Sequence, residues 1–300
     1  MTSVLDYTYT ADNLPETITE SGSLSGSATV TYTYDKRHRL IQEVRTGGTP
    51  YDITYVYDKG GNRTKKTERD TLGQSIRRTD YYYDTPSPAT YKSNYNRLEY
   101  YKVYNTTGGG NLLLSTTWYY YTREWDGAYA DIGSVTWIVT NTAGTNNYTA
   151  TRFGYGMNDR ALTFAVGETW TWDGNLANCP TAYDVAWARE FRYHGARARY
   201  LNRQLDDEAL ELENVVALSE TWTDYDGDTA YGDYTVSGST VTNVRSYHPG
   251  VAVVDPWVST GPGATDYLTT DHLGTTRGLT IPGGAPDDQS MASYSAFGEK

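Results

Sequence analysis

Asp271 stands beside His272, the one place in the 300 residues where a carboxylate adjoins an imidazole and could tune it for proton transfer. Adjacent residues of an extended chain point to opposite sides, and no nucleophile motif lies nearby. Asp271-His272-Leu273-Gly274 therefore reads as turn chemistry, with the aspartate bonding backbone and the glycine relaxing it. His38, His194 and His248 are scattered, and none has a histidine two or four residues away, so no sequence-local metal site is expected. Asp224-Tyr225-Asp226-Gly227-Asp228 opens like a calcium loop, but Thr229 and Thr235 stand where an EF-hand needs its glycine and its glutamate. It reads as an acidic loop, with an irregular calcium site at Asp224, Asp226 and Asp228 as the alternative. Cys179 is the only cysteine, which excludes an internal disulfide and a thiolate zinc site, and without a cationic neighbour it reads as a small buried hydrophobe. Gly108-Gly109-Gly110 lacks a following Lys-Ser/Thr and reads as a hairpin tip rather than a phosphate cradle. Glycosylation patterns at Asn62, Asn105 and Asn147 are of a kind common by chance. No catalytic constellation and no cofactor site emerge, so the expectation is a protein that is not an enzyme.

The elements that would position these groups are strands. Thirty Tyr and eight Trp accompany only four Phe and three Met, a composition suited to pleated sheet with one face buried and one wet. A net charge of −12 argues against nucleic acid or an anionic membrane surface as the main partner. No apolar run approaches the roughly 20 residues that span a bilayer as a helix. The chain opens directly in strand-like sequence without a charged-then-apolar leader, which suggests either synthesis in the cytoplasm or a natural polypeptide that begins upstream.

Self-similarity is the strongest signal. Tyr7-Thr8-Tyr9, Tyr32-Thr33-Tyr34-Asp35, Tyr55-Val56-Tyr57-Asp58 and Tyr81-Tyr82-Tyr83-Asp84 repeat one motif at intervals of about 25 residues. Alternation places both tyrosines of each copy on one face of a strand. The polar cluster that follows, Asp58-Lys59-Gly60-Gly61-Asn62-Arg63, supplies residues that tolerate positive φ and so reverse the chain. A return strand then runs through Arg63-Thr64-Lys65-Lys66-Thr67. Asn13-Leu14, Arg39-Leu40 and Asn96-Arg97-Leu98 close the other copies. Looser echoes occur at Phe153-Gly154-Tyr155 and Phe191-Arg192-Tyr193, and strand-and-turn signals continue to about Thr280. The clearest repeats cover 1–100, degenerate ones 101–245. Residues 205–219 are the only stretch with helical character, and an acidic loop or strand fits there as well. Exposed Tyr and Trp can stack on sugar rings, although cross-strand packing suits the Tyr-x-Tyr positions better.

Tyr-x-Tyr-Asp followed by Gly-Asn-Arg or Asn-Arg-Leu resembles the YD repeat of Rhs proteins, a group related to teneurins and toxin-complex shell proteins. Residues 246–300 carry a more specific likeness. Tyr267-Leu268-Thr269-Thr270-Asp271-His272-Leu273-Gly274-Thr275-Thr276-Arg277 and Tyr294-Ser295-Ala296-Phe297-Gly298-Glu299 are similar to the Rhs-associated core signature, with Ser295 replacing its usual aspartate. The structural residues the resemblance marks are Tyr34, Asp35, Tyr57, Asp58, Gly61, Asn62 and Arg63 in the repeats. In the signature they are Asp271, His272, Leu273, Gly274, Arg277, Tyr294, Phe297 and Gly298.

The resemblance implies an all-β fold, an elongated spiral or curved antiparallel sheet of YD hairpins with very little helix. It implies a partial Rhs-type shell that encloses or presents a carboxy-terminal effector, secreted or at the cell surface. Its partners would be that effector, the remaining shell repeats and the secretion machinery. The family's aspartyl self-cleavage region follows the signature. Asp255-Pro256 lies upstream of it without the glycine pattern and does not inherit that role, so this sequence is expected to be part of a longer protein. A surface adhesion or carbohydrate-binding module on the same scaffold is the alternative. An open sheet of this kind exposes edge strands, so poor solubility is expected of the 300 residues alone.

Overall fold

The computed structural model describes residues 4–21, 27–83, 97–121, 134–156, 161–172, 183–194, 198–207, 215–226, 229–237, 240–248, 252–254, 265–270 and 276–280. The tyrosine repeats form the first strands: β1 Val4–Tyr9, β2 Pro15–Ser21, β3 Ala28–Tyr34, β4 Leu40–Thr46, β5 Tyr51–Tyr57, β6 Arg63–Arg69 and β7 Ser75–Tyr83. Longer strands follow: β8 Leu98–Asn105, β9 Leu112–Tyr121, β10 Val135–Thr142, β11 Asn147–Tyr155, β12 Leu162–Thr171, β13 Asp184–Tyr193, β14 Arg199–Leu205 and β15 Ala217–Asp226. The last are β16 Thr229–Ser237, β17 Thr240–His248, β18 Ala252–Val254, β19 Thr265–Thr270 and β20 Thr276–Thr280. A 3-10 turn at Thr107–Gly109 joins β8 to β9, at the expected glycine-rich tip.

Every strand pairs antiparallel with the next, so the order in the sheet is the order in the chain. No ladder joins β1 to β20 among the described residues, and the fold is one curved, open antiparallel meander.

The turns follow from the aspartate motif. At Asp35–Arg39, Asp58–Asn62 and Asp70–Gln74 the first residue's carbonyl accepts from the N–H three positions on, and its own N–H donates to the carbonyl four positions on. Thr10–Leu14 makes the same pair of bonds. The fourth position is left-handed each time, with φ of 61° at Asn13, 60° at His38, 97° at Gly61 and 78° at Gly73. This is a type I turn closed by a left-handed residue, the form a three-residue hairpin loop takes. Each aspartate side chain pins its turn: Asp35 Oδ1 accepts from the N–H groups of Arg37 and Arg39, and Asp58 Oδ1 from that of Asn62.

Burial changes face along the sheet. In β2–β7 the buried residues share the side of the Tyr-x-Tyr pairs: Ile18, Val30, Glu43, Ile53, Tyr55 and Thr79. From β10 to β14 most of the burial lies on the opposite side, in the row Val166, Ala188 and Leu205 flanked by Phe164 and Val185, while Ala165 and Phe191 remain buried on the tyrosine side. Two glycines make room for an aromatic ring, one on each face. Gly154 and Gly167 stand opposite Phe164 and Trp187, and a Cβ at either would sit 1.8 Å and 2.1 Å from those rings. Each ring occupies the space a side chain at the glycine would fill.

In the 205–219 stretch, Leu205 ends β14 and Ala217–Ser219 begins β15, with the Asp206 N–H donating to the Val216 carbonyl. Residues 208–214, where helix and acidic loop would differ, lie outside the described residues.

Candidate functional site

The repeat motif builds a regular row of cross-hairpin bonds. The last tyrosine of each copy donates its hydroxyl to a backbone carbonyl of the preceding hairpin: Tyr34 to Pro15 at 2.9 Å, Tyr57 to Leu40 at 2.6 Å, Tyr83 to Arg63 at 3.1 Å. Degenerate copies do the same, Tyr121 to Leu98 at 2.8 Å, Tyr155 to Val135 at 2.7 Å and Tyr225 to Arg199 at 2.9 Å. Every acceptor is the first residue of its strand.

The register explains the constancy. The ladders between hairpins stop at Thr17↔Thr31, Gln42↔Thr54, Lys65↔Asp80, Tyr100↔Trp118, Trp137↔Arg152 and Leu201↔Trp222. In all six cases the acceptor lies two residues before the last pair and the tyrosine three residues beyond it. Backbone pairing ends there because a β-bulge adjoins each tyrosine, as at Thr33/Tyr34 and Val56/Tyr57. The phenol thus supplies a donor to a carbonyl that the ladder does not reach.

Arginines at the turn ends reinforce the row. Arg39 lies over the Tyr57 ring at 4.8 Å, Arg63 over Tyr81 at 4.6 Å and Arg97 over Tyr121 at 4.7 Å. Burial pushes the phenols of Tyr34, Tyr57 and Tyr83 above their ordinary range, which keeps them protonated as donors. The Arg39 side chain, followed by the backbone N–H groups of Arg39 and Arg37, holds Asp35 down at about 2. Asn62, through side chain and backbone, lowers Asp58 in the same way.

Beneath the row sits a buried ionic group. Arg45 makes a two-pronged bond to Glu20, Nη1 to Oε1 at 3.0 Å and Nη2 to Oε2 at 2.6 Å, across the intervening β3. Glu43 is fully buried and accepts from the Tyr55 hydroxyl at 2.6 Å. Further along, Arg203 bridges Glu190 and Glu220 at 3.0 and 2.6 Å, tying β13, β14 and β15. These pairs join nearby strands, the arrangement of cross-strand fastening.

On the face opposite the tyrosine row, β9–β12 form an open groove of about 440 Å³ walled by Trp118, Tyr120, Trp137, Tyr148, Trp170 and Trp172, with Val139 the one aliphatic residue. Tyr148 and Trp170 are cross-strand partners with rings nearly parallel, 5.6 Å between centroids. Trp137 meets Trp170 edge-on at 6.5 Å.

The sequence-marked residues distribute as follows. Tyr34, Asp35, Tyr57, Asp58, Gly61, Asn62 and Arg63 all lie in the tyrosine row and its turns. Arg277 is in β20, while Asp271, His272, Leu273 and Gly274 fall between β19 and β20, outside the described residues, as do Tyr294, Phe297, Gly298 and Cys179. Asp224 and Asp226 end β15, and Asp228 is not among the described residues. No group of three or more His, Cys, Asp or Glu that could hold a metal occurs among the described residues. The carbonyl acceptors escaped sequence reading because a backbone oxygen has no residue-type signature. The groove escaped it because its rings come from four strands.

Fold and row together define an open β-meander of tyrosine-hairpin repeats. No protein-family model matches the sequence, and no curated protein matches it. Among solved structures, the chain is similar to the TcdB2-TccC3-TEV crystal structure, with 14% identity, a TM-score of 0.39, and coverage of 98% of this chain and 16% of that one. It is similar to TcdB2-TccC3 without its hypervariable C-terminal region, at 15% identity and TM-score 0.36, covering 99% and 16%. A porin-like protein from Bacteroides uniformis aligns at 10% identity and TM-score 0.36, over 78% of this chain and 88% of that one. The chain thus spans about one sixth of the length of the two TcdB2-TccC3 chains.

Proposed function

We propose that this chain is a wall segment of an Rhs-type shell, secreted or displayed at the cell surface, that encloses or presents a carboxy-terminal effector and performs no chemistry itself. The carrying observation is the row of six tyrosine-to-carbonyl bonds that joins hairpin to hairpin in one constant register. Such a link can be repeated indefinitely, which is what a wall requires and a compact enzyme does not. The Asp271–Arg277 and Tyr294–Glu299 likeness supports the Rhs reading and an effector on the carboxy-terminal side.

The test uses the complete reading frame that carries this sequence. Limited proteolysis of the native protein should leave the carboxy-terminal segment intact, and protection should vanish at the denaturant concentration where the sheet's far-UV signal melts. Cleavage of that segment at the same rate in native and denatured protein would overturn the shell.

A further inference from the structure

We propose that Tyr82 and Tyr100 form an oxidative cross-linking site, where a haem peroxidase and hydrogen peroxide join the two rings as dityrosine and strap β7 to β8. This goes beyond the wall reading and does not depend on it. The two faces of the sheet use tyrosine differently. On the tyrosine face, the hydroxyls of Tyr34, Tyr57 and Tyr83 are spent on backbone carbonyls. Tyr82 and Tyr100 stand on the other face as direct cross-strand partners. Their hydroxyls make no hydrogen bond among the described residues. Tyr82 is 37% exposed, so its phenol is open to an oxidant.

Ring geometry singles this pair out. The two centroids lie 4.4 Å apart with the planes within 15° of parallel, which brings the carbons of one ring against those of the other. Tyr81–Tyr101 and Tyr101–Tyr119, on the tyrosine face, sit at 5.9 and 6.2 Å with the planes tilted by 45° and 46°. Coupling needs contact between the carbons beside the two hydroxyls, and tilted rings at that distance present less of it. Lys102 acts as a clamp on the pair. Its Nζ lies 5.9 Å from the Tyr82 ring centre and 5.7 Å from that of Tyr100, one cation shared by both rings.

The chemistry balances with the peroxide as sole oxidant. Each phenol gives one electron to the peroxidase and one proton to water, leaving a neutral phenoxyl radical. The two radicals pair their electrons in a bond between Cε carbons, and the hydrogen on each coupled carbon passes to its phenolic oxygen. Two hydrogens have then left the protein, and one hydrogen peroxide has become two waters. Placement gives the bond a use. Residues 84–97 are the longest connection among β1–β8, and the entropy cost of closing a loop rises with its length. The Tyr82–Tyr100 pair sits at the loop end of this hairpin, beside the last ladder pair Tyr83↔Leu98. A covalent strap there lowers the entropy of the unfolded chain at the hairpin of β1–β8 that costs most to close.

The experiment treats the dilute native chain, a mixture of heavy-nitrogen-labelled and unlabelled protein, with hydrogen peroxide and a haem peroxidase. Tryptic mass spectrometry then maps the product. We expect dityrosine fluorescence and a linked pair of peptides, residues 79–92 with residues 98–102, lighter by two hydrogens than their sum. Fragmentation should place the bond between Tyr82 and Tyr100, and both peptides should carry the same isotope, as a link within one chain requires. Tyr82→Phe, which keeps the stacked ring, should abolish this product, whereas Tyr101→Phe, on the other face, should leave it. The linked chain should unfold at a higher urea midpoint than the untreated chain, and an unshifted midpoint would overturn the strap. The proposal also fails if the product is absent, if the bond forms mainly between chains or between other tyrosines, or if urea-unfolded chain couples the same pair equally well.

Discussion

At the residue scale, the tyrosine hydroxyl and the turn aspartate do separate work, and each can be isolated. Tyr57→Phe keeps the ring under Arg39 and removes only the bond to the Leu40 carbonyl. It should cost about 1–2 kcal/mol, read as a lower urea midpoint, because the carbonyl loses that donor. Val56→Thr, at a position 51% exposed, should change stability by less than about 0.5 kcal/mol. Asp35 gives a pH signature. Its folded pKa of about 2 lies below its ordinary 3.8, so its contribution is fully present above pH 3.8 and is lost as pH falls through about 2. Asp35→Asn should therefore flatten the acid limb of a Tm-against-pH curve between roughly pH 4 and 2. An acid limb unchanged in the variant would mean that other carboxylates carry it.

At the element scale, the sheet depends on backbone brought close to aromatic rings. Gly167 lies under Trp187, whose Nε1 would be 2.1 Å from an added Cβ. Gly167→Ala should expel the indole and cost about 1–3 kcal/mol, as overpacking does. Near-UV circular dichroism should lose tryptophan signal while the far-UV sheet signal persists. The buried Arg45–Glu20 pair works between elements too, fastening β4 to β2 over β3, where small Ala28 stands opposite Glu20. Such a pair adds little net stability over apolar packing, but either charge alone would be costly there.

At the scale of the whole molecule, each strand touches its sequence neighbours, so the sheet is close to one-dimensional. Stability is then a sum over hairpins and their interfaces, and the tyrosine row is the interface term that recurs. The open edge shows what the row does by its absence. Tyr9 occupies the last position of β1, with no strand described on its outer side, and is 48% exposed. Its counterparts Tyr34 and Tyr57, each facing a preceding hairpin, are half-buried. An edge of this kind offers unpaired backbone to any strand that fits, which is the physical basis for expecting association of the isolated chain.

Much of this was legible in the sequence. Tyrosine alternation marked the strands and put the paired rings on one face, because side-chain direction in a strand has a period of two. Glycine and asparagine in the polar cluster after the tyrosines marked the turns, because the left-handed residue must be one that tolerates positive φ. The left-handed His38 and the Thr10 that opens the first turn emerged only from the structure. The tertiary structure decided what those tyrosines bond, since the acceptors at Pro15, Leu40 and Arg63 are backbone oxygens placed by register and bulge. It also decided that most of the burial moves to the other face after β9 and that aromatic residues from four strands converge on one groove. Both depend on which residues stand opposite one another, and a local pattern does not carry that information.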